Sequence, residues 1–227
     1  MYKKQDFVSD LNSLQSRYER QMPGWYKKRA KPWAKEVEHA WALYCNARDN
    51  NLSMLVLGGI ELRDDEDLLA NMGTTAAAPM QNKSGNTTFN DRDSGSNRTG
   101  SVLKEKAWWP LQNDAWVLGG VQGLSQFHLA AGSVGGVVDD MLWEASARRP
   151  RVLGRELIGL FNFGYIRVRS PHEAKLGIVF APHNAEAAKA STFKAYLAGI
   201  TQVYAAANIR NMMDVNVPHA SFTMPGR

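Results

Sequence analysis

His128, in the segment SQFHLAAG, precedes Asp139, Asp140 and Glu144. An imidazole with a carboxylate is what general acid–base catalysis or a hydrolytic metal site uses. His128 is therefore the acid/base candidate, with Asp139 or Asp140 as its carboxylate partner. The glycines around it allow close approach of a substrate. The separation of 11 residues matches no diagnostic motif, so a structural histidine in the core is the alternative. Arg167 and Arg169 stand two positions apart, and their guanidinium forks could clamp a phosphate or carboxylate. The alternative there is an ordinary exposed strand face.

A third constellation is the basic, aromatic segment RYERQMPGWYKKRAKPWAK at 17–35. Lys27, Lys28 and Arg29 could neutralise phosphates. Trp25, Tyr26 and Trp33 could stack on bases or sit at a lipid headgroup boundary. A solvated turn between helices explains the same residues.

Several chemistries find no motif. Three Pro-His pairs occur, at 171–172, 182–183 and 218–219. None has the helical i, i+4 spacing of a zinc motif, and there is no cysteine pair, so no structural metal is expected. Cys45 falls beside the apolar stripe of a helix, far from its start, and reads as packing rather than as a nucleophile. Ser125 lacks the second glycine of a nucleophile elbow, because Phe127 stands there. Gly119, Gly120 and Gly123 match neither a dinucleotide fingerprint nor a P-loop. The sequence names no cofactor.

The elements that must position these residues fall on either side of a polar stretch, Gly73 to Gly100, in which Phe89 is the only aromatic residue. Such a composition buries too little apolar surface to offset its ordering entropy, so it reads as a flexible segment or as a long loop ordered by a partner or ligand. Before it, Phe7, Leu11, Leu14 and Tyr18 mark one face of a helix. Trp33, Val37, Ala40, Trp41 and Tyr44 mark a second helix after Pro32, with Glu36 on its polar side, and the two are expected to pair as a hairpin. LSMLVL at 52–57 is a strand or a helix end.

After the polar stretch, Asp114 is placed to cap a short helix, and the glycines from 119 to 136 predict irregular structure. A helix from Pro150 carries Leu153, Leu157, Leu160 and Phe161, and Gly164 stops it. The alternations at 165–169 and 176–180 predict an antiparallel hairpin across a five-residue loop, with Tyr165 on the outward face beside the arginines. A long last helix, capped by Asn184, follows with the stripe Phe193, Tyr196, Leu197, Ile200, Val203 and Tyr204, expected to pack on the hairpin.

The chain has 227 residues and a formal charge of +5, which permits an anionic partner. Seven tryptophans suggest that some serve an interface. A lone cysteine allows no internal disulfide, as suits a protein made in a reducing bacterial cytoplasm. The start, MYKKQDFVSDLNS, has no apolar core of a classical signal peptide, so export would need a specialised machine. The apolar stretch Ala115 to Val138 is too broken by glycines to be a membrane span.

NDAWVLGG (113–120), FHLAAG (127–132) and GRELIGLFNFGYI (154–166) are similar to segments of bacterial secreted effectors and polymorphic toxins. The resemblance covers about 105–180 and implies an effector or an associated protein. The expected fold is α+β. A helical part at 1–72 and a mixed part at 101–227 flank the 73–100 segment, either as two units or as one domain. The expected function is an effector that acts on an anionic target, nucleic acid or a phosphate-bearing ligand, by hydrolysis. The alternative is a non-enzymatic adaptor that binds nucleic acid or a protein partner.

Overall fold

The computed structural model describes residues 2–21, 32–49, 54–57, 109–129, 131, 134–169, 177–203, 205–214 and 216–218. Lys27, Lys28 and Arg29, the 73–100 segment and the loop at 170–174 lie outside these. Helix α1 (Lys4–Gln21) buries Phe7, Leu11, Leu14 and Tyr18, the stripe that the spacing predicts. Helix α2 (Trp33–Arg48) follows Pro32 and runs antiparallel to α1. Lys4 pairs with Glu38 at 2.9 Å near one end, and Trp33 Nε1 donates to Asn12 Oδ1 at 2.8 Å near the other. Glu36 is not on the solvent side as its sequence position suggests. It is buried and accepts a 2.8 Å hydrogen bond from Gln112 Nε2.

Helix α3 (Trp109–Gln122) is buried all round from Pro110 onward. The sequence places the helix start at Asp114 and a break at Gly119, but α3 begins earlier and runs through both. The glycines serve close packing instead. A Cβ on Gly119 would lie 2.2 Å from the Tyr44 carbonyl oxygen, and one on Gly123 would lie 2.4 Å from that of Arg48. Their absence lets the α2 backbone press onto α3.

Within the run 52–57, residues 54–57 form a strand. Strand β1 (Met54–Leu57) lies parallel to β2 (Gln126–Leu129). The main sheet continues with β6 (Ile178–Pro182), β5 (Tyr165–Arg169) and β7 (Asn216–Pro218), in the order β1-β2-β6-β5-β7. Strands β5 and β6 form the predicted antiparallel hairpin, in register from Tyr165↔Pro182 to Val168↔Val179. Every residue of β6 is buried, so the strand is covered on both faces. Tyr165 points inward, contrary to the alternation, and its hydroxyl donates to the Ser125 carbonyl at 2.9 Å. Val168, Val179 and Ala181 form a separate small cluster.

Between β2 and β5 come α4 (Asp139–Leu142), a short hairpin of β3 (Trp143–Glu144) and β4 (Arg149–Pro150), and α5 (Val152–Asn162). Gly164 follows α5 with φ +78°, the left-handed stop expected of it. The predicted long last helix is three short ones, α6 (Ala185–Lys189), α7 (Phe193–Thr201) and α8 (Ala206–Asp214). Polar side chains cut it. Asn184 caps α6 as predicted, Ser191 Oγ turns back to the Ala188 carbonyl, and Thr192 caps α7 anew. Helix α7 packs on α5 and α1, where Tyr196 covers Gly159 and Phe193 meets Phe7 edge-on. The arrangement is α+β. One core cluster draws from α1, α2, β1, α3, β2, α5 and α7, on both sides of the polar segment.

Candidate functional site

Helices α3 and α5 pack together in the core, yet each brings a charge to the contact. Arg155 Nε lies 2.5 Å from Asp114 Oδ1 and Nη2 lies 2.6 Å from Oδ2. The two side chains are 5% and 0% exposed. The Tyr18 hydroxyl donates to Asp114 Oδ2 at 2.7 Å, and the Tyr196 hydroxyl donates to the Arg155 carbonyl at 2.9 Å. A buried pair of this kind tolerates desolvation only when its geometry is good and its remaining valences are met. Burial raises the Asp114 carboxyl above the usual carboxylate range, against the pull of Arg155 and Tyr18. Burial also opposes charge on Arg155, but Asp114 outweighs it and holds the guanidinium above its ordinary range. Burial and then the Asp114 charge push both tyrosine hydroxyls well up, so they stay protonated donors.

Glu156, next on α5, is also buried. Burial, followed by repulsion from Asp114, pushes its carboxyl up to about 8. It is thus a neutral acid at neutral pH, beside the Arg155–Asp114 pair.

Arg155 reaches outward as well. It lines a cleft of about 330 Å³ with Trp143, Arg148, Arg149 and Pro150 of the β3–β4 hairpin and Gln21 at the end of α1. Its Nη1 has no acceptor among the described residues. Arg149 Nε donates to Glu144 Oε2 at 2.8 Å, and its Nη groups have no acceptor among the described residues. Arg148 has no acceptor among the described residues, and its backbone sits in the left-handed region at φ +49°. The cleft therefore gathers three guanidinium groups against two carboxylates that are already paired. Its volume is at the lower end for small-ligand sites.

Neither a protein-family model, a curated relative nor a solved structure matches this chain. The site has to be read from its own geometry. No described helix is long and apolar enough to cross a membrane.

The residues singled out from sequence lie elsewhere. His128 is on β2, opposite Val56 on one side and Val179 on the other, and is 5% exposed. Asp139 pairs at the surface with Arg210, and Asp140 is exposed. Neither aspartate bonds to His128. Arg167 is half-buried and Arg169 exposed, and neither lines the cleft. Burial pushes the Cys45 thiol up, as suits a packing residue. No group of three or more candidate metal ligands occurs among the described residues.

Sequence reasoning missed Asp114 and Arg155. The signal that marks Arg155 is the helix run VLGRELIGLF, in which Arg155 and Glu156 are adjacent charges amid apolar residues. Charges there must be paired or neutralised, and one of each is found.

Proposed function

We propose that this protein recognises an anionic group in the cleft formed by Arg148, Arg149 and Arg155, and that the cleft binds rather than hydrolyses. Arg155 carries the reading. Its guanidinium is fixed by a bidentate carboxylate in the core, and the residue also lines the cleft, so it can act as a preorganised anion donor there. Among the described lining residues there is no histidine, cysteine or carboxylate to serve as base or nucleophile. The hydroxyl of Thr201, which also lines the cleft, is committed to the Ala198 carbonyl at 2.8 Å. With the similarity of 105–180 to secreted effectors, the function this supports is an effector or adaptor that holds an anionic target.

Arg148 adds a second argument. A side chain at φ +49° costs about 1 kcal/mol that glycine would avoid. An exposed arginine at such a position, on the rim of the cleft, supports a role in binding. Arg148→Gly should raise the unfolding free energy by up to about 1 kcal/mol and weaken anion binding. Calorimetric titration with pyrophosphate at low salt tests the reading. Binding should occur, weaken as salt rises, and fall sharply in Arg148→Gly. No binding to the wild type at low salt would overturn it.

A further inference from the structure

Glu156 sets an ionisable group beside the residue that links the core to the cleft. It follows Arg155 on α5, so the two side chains leave the helix about 100° apart. Asp114 of α3 acts on both. It holds the Arg155 guanidinium through two hydrogen bonds and repels a charge on Glu156. Glu156 is 4% exposed and accepts no hydrogen bond among the described residues. A buried carboxyl without a donor carries its charge only at high cost, so burial and the lack of a partner already favour the protonated acid. Loss of that proton would add one negative charge next to Arg155.

The cations of the cleft have no pH response of their own near neutrality. Arg148, Arg149 and Arg155 do not lose their protons in a folded protein. No histidine or lysine is among the described residues that line the cleft. From the elements packed against α5, two ionisable groups act on Glu156: Asp114 of α3 and Tyr196 of α7, whose hydroxyl stays protonated. Tyr165 of β5 is also buried, but burial alone perturbs it. The charged residues of the other elements are Asp139 and Asp140 of α4, Arg149 of β4, Arg167 and Arg169 of β5, and Arg210 and Asp214 of α8. All of them are exposed or half-buried.

We propose that Glu156 is a pH switch for the cleft: protonated, it leaves Arg155 able to hold an anion, and ionised, it weakens that hold. This rests on the anion-binding reading above and adds its regulation. Linkage fixes the sign. A bound anion favours the protonated carboxyl, so binding takes up protons, and affinity falls as pH rises through the range in which Glu156 ionises, centred on about 8.

Sulfate binding to the full chain at low salt, followed by calorimetry from pH 6.5 to 9.5, tests the switch, because sulfate itself does not titrate there. Wild-type affinity should fall by about three- to tenfold, the scale of one unit charge acting through protein. Glu156→Gln should match the wild type at pH 6.5 and keep that affinity to pH 9.5. Near pH 8 the wild type should also take up protons on binding, seen as a heat that changes with the ionisation enthalpy of the buffer. That readout needs no variant. A wild-type affinity that is flat with pH, an equal fall in Glu156→Gln, or no proton uptake would overturn the switch and leave the anion site standing. No binding of sulfate or pyrophosphate at any of these pH values would overturn both.

Discussion

Arg155–Asp114 and Arg210–Asp139 share the same closest nitrogen–oxygen distance, 2.5 Å. Their surroundings are opposite. The first pair is 5% and 0% exposed, the second 31% and 71%. Contact geometry alone would rank them together, but the medium decides their worth. In the core there is no water to replace a lost partner, whereas at the surface water and salt replace it readily. The buried pair is thus a fixed part of the fold, and the exposed one is a local contact. Only the buried pair also presents a cation to a cleft.

The largest effect should follow from breaking the buried pair on one side. Asp114→Ala leaves Arg155 charged and unpaired in the core and should cost about 3–5 kcal/mol by denaturant unfolding. Replacing both partners, as Asp114→Leu with Arg155→Met, should recover much of that loss. If the single change costs no more than a surface substitution, the pair is not the structural centre described here.

A smaller, pH-dependent effect belongs to Glu156. Between the ordinary glutamate range and about 8, the folded protein keeps a proton that the unfolded chain has released. Stability therefore falls as pH rises through that window, by up to about 1.4 kcal/mol per pH unit. The contribution is full below the unfolded carboxyl range and gone above about 8. Glu156→Gln should flatten the fall between pH 5 and 8. Parallel pH profiles for variant and wild type would contradict the neutral-acid assignment.

The smallest effect should come from the exposed pair. Asp139→Ala should change stability by less than about 1 kcal/mol, and less still at high salt. A loss comparable to that of Asp114→Ala would erase the contrast between the two pairs.

What was legible in the sequence follows the same division between core and surface. The stripe Phe7–Leu11–Leu14–Tyr18 and the alternation in 165–169 are periodic, so a helix and a hairpin could be read directly. Asp114 reads as a cap because an aspartate before an apolar run signals a helix start in either case, and only tertiary packing places it mid-helix. The last helical region reads as continuous because its apolar stripe is continuous. The local hydrogen bonds of Ser191 and Thr192, which interrupt it, are weak signals in one dimension. The cleft was invisible for a different reason. Gln21, Trp143, Arg148 and Arg155 come from separate elements, and no spacing links them. The sequence offered Arg167 and Arg169 as the anion clamp, where the cleft gathers Arg148, Arg149 and Arg155.

That contrast can be measured directly. Pyrophosphate affinity should be compared at low salt for the wild type, Arg148→Ala/Arg149→Ala and Arg167→Ala/Arg169→Ala, with unfolding curves to confirm that each is folded. The cleft account predicts at least a tenfold loss of affinity in the first double variant and little change in the second. Full affinity in the first and loss in the second would contradict it and return the anion site to the hairpin.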